Sequence, residues 1–199
     1  SFVDSYAKDL LLQAGGVYGR TLKKEDILEQ NNQPSALQNN FLNVLKSGVE
    51  IKVKQEVCYT PSTIVRVLKG VEWNLLNEAS KLKITTAVFI VSAQSNRMGY
   101  RLKADALKTN EPCEIISSAV TQGTVQLTAS GELIILMADA QTIGGYPRIL
   151  QVIAADLPIV AQMKPTDEIH FQLISLQEAE TLYLKQEEQL KQIQLLIQS

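Results

Sequence analysis

Two short segments concentrate the groups able to do chemistry. Ser95-Asn96-Arg97-Met98-Gly99-Tyr100-Arg101-Leu102 follows an apolar run that ends at Val91. Arg97 and Arg101 are planar, permanently charged forks that match a carboxylate, and Gly99 lets the backbone approach a ligand closely. The competing reading is a tight turn whose arginines pair with neighbouring acids. The other segment runs Ala138-Asp139-Ala140-Gln141-Thr142-Ile143-Gly144-Gly145-Tyr146-Pro147-Arg148, between the apolar runs Leu133–Met137 and Ile149–Ala154. Asp139 and Gln141 bring a carboxylate and an amide, and Thr142 brings a hydroxyl. Gly144-Gly145 offers backbone N–H groups suited to an anion or a developing oxyanion. Its competing reading is a Gly-Gly hairpin closed by Tyr146-Pro147.

Other signatures of catalysis are missing. The single histidine lies in Glu168-Ile169-His170-Phe171-Gln172-Leu173. Alternation gives Ile169, Phe171 and Leu173 the inner face and turns His170 outward as a solvated strand residue. One histidine makes no His-x-x-x-His pair, and Cys58 and Cys113 lack zinc-site spacing, so no metal is expected. The two cysteines read as isolated buried thiols of a cytoplasmic protein. Neither a Gly-x-Ser-x-Gly elbow nor a phosphate-binding loop occurs, so any nucleotide chemistry must be held by another chain.

The elements that must position these segments are mostly strands. Ile51, Val53, Val57 and Tyr59 share one parity against Lys52, Lys54 and Glu56, the pattern of a half-buried strand. Further β-rich runs are Ile64–Leu68, Lys83–Val91, Thr124–Leu127, Leu133–Met137, Ile149–Ala154 and Glu168–Ile174. Many short strands with close turns suggest a barrel or a sandwich. A short helix is expected where Val71, Leu75, Leu76 and Ala79 make a stripe after Gly70. Asp156 is placed to cap another, with Pro158 in its first turn. Ser175 and Glu178 form a Ser-x-x-Glu capping box, predicting a helix from about Leu176 to about Gln198. That helix carries Leu182, Leu190, Ile193, Leu196 and Ile197, and either lies on its own sheet or packs its outer turns on a neighbour. Glu29 to Asn40 is polar, holds Pro34 and reads as an exposed loop or linker. These features divide the chain into a β-rich or linker segment at 1–50, a β-domain at 51–175 and a helix at 176–199.

Composition bounds the function. Among 199 residues, 45% are hydrophobic, and 19 Lys+Arg face 21 Asp+Glu for a net charge of −2. This is a folding composition, not that of a disordered chain. Scattered, nearly balanced charge gives no field for a phosphate backbone or an anionic membrane, so neither is expected as a partner. No apolar run approaches the roughly 20 residues that cross a bilayer. With Ser1 first and no basic-then-apolar leader, the chain reads as a piece of something longer without a signal peptide.

The same two segments resemble motifs of the carboxyltransferase A/B family, which includes allophanate hydrolase subunit 2, the C-terminal region of urea amidolyase, Kip-antagonist proteins and the C subunit of bacterial 5-oxoprolinase. Residues 95–102 are similar to the family's Ser-Asp-Arg-Met-Gly-Tyr-Arg-Leu, and 138–149 to its Ala-Asp-Arg-Gln-Thr-Thr-Gly-Gly-Tyr-Pro-x-Ile. Weaker matches are Gly15-Gly16 with Gly19-Arg20, Ile64–Leu68, Gly123–Gln126 and Ala155-Asp156-Leu157-Pro158. Together they span most of 15–180, the C-terminal two-thirds of such a protein. The resemblance implies a mainly β fold, a cyclophilin-like β-barrel with short helices and a C-terminal α-helix. It also implies an allophanate-hydrolase-subunit-1-like partner and a further 5-oxoprolinase subunit, with a small amide as substrate.

On that resemblance the chain is one wall of the substrate site in an ATP-dependent 5-oxoprolinase-like complex, binding no cofactor alone while the complex uses ATP. Arg97 and Arg101 would hold a substrate carboxylate, and Gln141, Thr142 and the Gly144-Gly145 backbone would orient a carbonyl, with Tyr100, Asp139 and Tyr146 completing the wall. One alternative is carboxyl transfer to urea from biotin. This chain lacks the Ala-Met-Lys-Met attachment motif, so the biotin would arrive on another domain. Another alternative is a non-catalytic Kip-antagonist-like binding module. Asn96 stands for the usual Asp and Ala140 for the usual Arg, as if an ion pair between the segments had been deleted. Glu25 and Thr166 stand where glycine is common before Asp26 and Asp167.

Overall fold

In a computed structural model of the chain, the described residues are 23–27, 43, 63–111 and 115–198, with side chains described as far as 194. Ser1–Lys54 and Gln55–Ser199 are two compact units. The expected strand at Ile51–Tyr59, the loop at Glu29–Asn40 and both cysteines lie outside the described residues.

The described residues of the second unit form nine strands: β1 (Ile64–Lys69), β2 (Phe89–Val91), β3 (Gly99–Lys103), β4 (Ser118–Ala119), β5 (Thr124–Leu127), β6 (Leu133–Leu136), β7 (Ile143–Gly144), β8 (Arg148–Val152) and β9 (Glu168–Leu173). Its helices are α1 (Glu78–Thr86), α2 (Leu157–Ala161) and α3 (Leu176–Gln198). Seven strands close into a barrel in the order β1-β8-β5-β6-β3-β2-β9, while β4 and β7 form a separate two-stranded sheet. Within the barrel only β1 and β9 run parallel. The mainly β barrel with short helices and a C-terminal helix is therefore borne out, and the sandwich is not.

Period-two alternation fills the barrel. Val65, Val67, Val125, Leu133, Ile135, Leu150, Val152 and Ile169 are essentially inaccessible, and Phe89 meets Phe171 with ring centroids 5.2 Å apart. His170 is turned away from this core, between buried Ile169 and Phe171, as alternation required. β5 departs from the pattern, because Thr124 and Gln126 on its outer face are buried as well.

Three expectations need correcting. Lys83–Val91 is not one strand: Lys83–Thr86 closes α1, and only Phe89–Val91 pairs in the sheet. The β-branched Ile84, Thr85 and Thr86 resemble a strand, but Asn77 fixes a helix start by accepting the Ser80 N–H at 2.8 Å, and Ile84 is buried. The helix after Gly70 begins correspondingly later, following a 3-10 turn at Trp73–Leu75. Asp156 precedes α2 and Pro158 occupies its first turn, yet the Asp156 side chain makes no cap. Its carboxylate is taken by Arg66, 90 positions away in sequence. The capping box did form: Ser175 N–H and Oγ both donate to Glu178 Oε2 at 2.8 Å, and Glu178 N–H donates to Ser175 Oγ at 3.2 Å. Those bonds from Ser175 hold the Glu178 carboxyl below its ordinary pKa.

The two positions where glycine is common lie in separate turns of the same type. At 164–167 the Lys164 N–H donates to Asp167 Oδ2 at 3.0 Å, and the Asp167 N–H to the Lys164 carbonyl at 3.1 Å. At 23–26 the corresponding bonds are 2.6 and 3.1 Å. The third residue is left-handed in both, with φ of 81° at Thr166 and 79° at Glu25. This is type II turn geometry, which normally takes glycine there. A β-branched residue in it carries strain of roughly 1–2 kcal/mol, against about 0.5–1 kcal/mol for the extra flexibility of glycine. Thr166→Gly is therefore expected to stabilise the chain by about 0.5–1 kcal/mol, read as a melting temperature raised by about 1–4 °C.

Candidate functional site

The first motif is half turn and half strand. The Asn96 N–H donates to the Gly99 carbonyl at 3.1 Å, and Asn96 Oδ1 accepts the N–H groups of Met98 and Gly99 at 2.8 and 3.2 Å. An aspartate would make the same two acceptor contacts, so the change to asparagine leaves this turn's hydrogen bonding intact. A Cβ on Gly99 would come within 2.9 Å of Ile134 Cγ2, so this glycine serves β3–β6 packing rather than ligand approach. In β3, Leu102 is buried and Tyr100 packs against the core, whereas Arg101 is exposed on the outer face. Tyr100 and Arg101 thus face opposite ways.

Pairing of Gly99 with Leu136 brings the two motifs together. Met137 N–H donates to the Met98 carbonyl and Asp139 N–H to the Arg97 carbonyl, both at 3.0 Å. Arg97 then grips Asp139 through Nε–Oδ2 at 2.7 Å and Nη2–Oδ1 at 3.1 Å. This hydrogen bonding to a carboxylate raises the Arg97 pKa above its ordinary value. The ion pair between the segments is thus present, made by the neighbours of Asn96 and Ala140. Arg97 is occupied by an acid of its own chain, while the exposed Arg101 guanidinium has no ion-pair partner among the described residues.

Beyond Asp139 the second motif is not a hairpin, because β5 lies between β6 and β8. The segment instead crosses the outer face of β5. The Thr142 carbonyl accepts the Val120 N–H at 3.0 Å, and Ile143 and Gly144 pair with Ala119 and Ser118. Gly144 lies flat on the buried Gln126 amide: a Cβ there would stand 2.5 Å from its Nε2, which also donates to the Tyr146 carbonyl at 3.4 Å. Gln141, Thr142 and Gly145 remain exposed.

The predicted residues therefore do not share one place, and Tyr100 turns into the barrel. Arg101, Ile134 and Gln126 form one cross-strand row on the outside of the barrel. Arg101 and the crossing segment over Gln126 flank Ile134, roughly 10 Å apart at ordinary strand spacing. Gly145 and Tyr146 belong elsewhere, to a cleft of about 820 Å³ whose other walls include Leu107, Lys108, Asn110 and Gly131. Arg97, Arg101, Gln141 and Thr142 do not line it. Lys108 and Asn110 carried no sequence signal, because their loop reaches the cleft only through barrel closure. Past Pro147, Arg148 Nη2 and Nε hold Glu72 at 2.7 and 2.9 Å, and this Arg148 contact keeps the Glu72 carboxyl below its ordinary pKa. No cluster of His, Cys, Asp and Glu suited to a metal occurs among the described residues, and none of their helices is long and apolar enough to cross a membrane.

A closed barrel carrying two motif segments clasped to each other is the architecture that the comparisons assign to a family. The chain belongs to the carboxyltransferase domain family, subdomains A and B, whose model matches residues 1–173. Within it, the chain is 35% identical over 195 residues to the C subunit of 5-oxoprolinase from Haemophilus influenzae, covering 98% of this chain and 59% of that protein. It is also 35% identical over 175 residues to the C subunit of 5-oxoprolinase from Escherichia coli, covering 88% and 52%. The chain thus spans between half and three-fifths of these relatives. The crystal structure of the K. lactis urea amidolyase shares the fold, with a TM-score of 0.60 at 24% identity over 63% of this chain and 8% of that one.

Proposed function

We propose that this chain is part of the C subunit of an ATP-dependent 5-oxoprolinase-like complex, where it forms one wall of the site that handles a small cyclic amide. The observation that carries this reading is 35% identity to the Haemophilus influenzae protein across 98% of the chain. The partners are an allophanate-hydrolase-subunit-1-like protein and a further 5-oxoprolinase subunit, which together supply the nucleotide site. The product glutamate and the substrate share a carboxylate. The guanidinium of Arg101, which has no ion-pair partner among the described residues, receives it, and the exposed Gln141 and Thr142 of the crossing segment orient the amide. Arg97 acts through Asp139, holding the two motif loops in register, and the Gly145–Tyr146 cleft is not part of this arrangement.

The test is coexpression with the companion subunits and measurement of ATP-dependent glutamate formation from 5-oxoproline. Arg101→Ala is expected to lower kcat/KM by about 100-fold, the effect of removing one partner of a buried charge contact. Undiminished turnover in that variant refutes the role. A second reading, transfer of a carboxyl group from biotin to an amide, draws on the fold shared with urea amidolyase. Carboxybiotin-dependent urea carboxylation by the assembled complex, without glutamate formation, would establish it in place of the first.

A further inference from the structure

The C-terminal helix leaves large apolar side chains exposed. Its 23 residues extend for roughly 34 Å, yet its packing on the barrel is concentrated at the Ala154–Asp156 turn. Ala179 is buried there, while Leu176, Tyr183 and Leu190 are 64%, 44% and 53% exposed. These three recur every seven residues, with Ala179, Gln186 and Ile193 each three positions further on, the spacing of a seam between two helices. The root of the seam opens into a groove of about 490 Å³, lined by Leu68, Val152, Leu157, Leu176, Ala179 and Tyr183.

We propose that α3 pairs antiparallel with α3 of a second copy of this chain, so that the distal half of each helix fills the groove at the root of the other. Three observations select this occupant. Because the groove is bounded by the barrel, it accepts a bare helical segment; a parallel partner would bring its own barrel to the same end, whereas an antiparallel one keeps the barrels at opposite ends of the rod. Charge agrees: residues 176–188 hold four Glu and one Lys, net −3, whereas 189–198 hold only Lys191, net +1. Antiparallel pairing sets the acidic half against the basic one, and parallel pairing stacks acid on acid. Bulk agrees as well, since the small Ala179 at the root leaves room for Leu190 or Ile193. The arrangement is isologous and closes as a two-fold dimer with both grooves filled.

Sedimentation of the full chain at about 50 µM is expected to give twice the monomer mass. Tyr183→Lys and Leu190→Lys are each expected to give monomers with unchanged circular dichroism, because both positions are exposed within one chain. Mixing Glu180→Cys with Gln194→Cys chains under mild oxidation should cross-link the two variants to each other, with neither linking to itself beyond the level of the parent chain. A monomeric parent chain, a dimer that survives both lysine variants, or cross-linking of each variant to itself overturns the proposal. So does binding of another protein of the complex through this helix in place of self-association.

Discussion

Asp156→Ala is expected to lower stability by about 2–4 kcal/mol, the cost of removing the buried member of an ion pair whose other member is 29% exposed, read as a shift of the urea midpoint at constant slope. Asp156 is completely buried and its carboxylate is saturated by one residue. The Arg66 N–H donates at 2.7 Å and Arg66 Nε at 3.0 Å to Oδ2, and Nη2 closes the fork on Oδ1. This contact raises the Arg66 pKa above its ordinary value. A raised pKa contributes stability below the unfolded-state value and loses it only above the folded-state one. For arginine that window lies in strong alkali, so the guanidinium stays charged in the variant and is left without its counter-ion. The loss should therefore be flat between about pH 6 and 9. Replacing both members by apolar residues, Arg66→Met with Asp156→Leu, should recover part of it, because no unpaired charge remains. The pair also positions the rest of the unit. It ties β1 to the 3-10 turn at Ala154–Asp156, on which α3 packs.

The same residue shows what the sequence could and could not reveal. Asp156 before Leu-Pro looks like a helix cap because capping is a local pattern, whereas its actual partner lies on another strand. Local patterns otherwise read well. Ser175 and Glu178 located the start of α3 to the residue, since both groups of the box lie within one turn. Alternation around Ile169 and Phe171 set the facing of His170 for the same reason. Failures cluster where strand order decides. Leu133–Leu136 and Arg148–Val152 look like hairpin partners, but β5 enters between them from earlier in the chain, so the intervening motif must cross its outer face. That crossing covers the buried Gln126, which no period-two reading anticipates. β3 was hidden because Arg101 and Lys103 are its outward residues and the inward pair, Tyr100 and Leu102, is too short to announce a strand. At the site, residue types announced two polar loops. Barrel closure then decides that Arg101 shares a row with Gln126, that Arg97 is held by Asp139, and that Tyr146 belongs to a separate cleft.

Gly70→Ala should be as damaging, at about 3 kcal/mol or more, the upper range for forced overpacking. Gly70 follows β1 directly, and its N–H donates to the Ile149 carbonyl at 2.8 Å. A Cβ at this position would stand 2.1 Å from the Arg148 carbonyl oxygen and 2.7 Å from the Arg148 and Ile149 carbonyl carbons. All three are backbone atoms, so no side-chain rotation relieves the overlap and the two strands must separate. Separation reaches further than one hydrogen bond. The Glu72 N–H donates to the Arg148 carbonyl at 3.2 Å, and the Arg148 N–H to Glu72 Oε2 at 2.9 Å, so the Glu72–Arg148 ion pair moves with the backbone it is anchored to. Arg148 is where the crossing motif re-enters the barrel, immediately after Tyr146 and Pro147. Displacement there loosens the Tyr146 side of the cleft while leaving the Arg97–Asp139 clasp, at the far end of the motif, in place. Amide hydrogen exchange distinguishes this outcome from general unfolding: protection should fall first at Glu72 and Leu127, whose N–H groups donate to the Arg148 and Pro147 carbonyls, and persist at Met137 and Asp139, whose N–H groups donate to the Met98 and Arg97 carbonyls. Uniform loss of protection would mean general unfolding in place of local parting, and a stability within 1 kcal/mol of the parent would show that β1 and β8 can part at this point without cost.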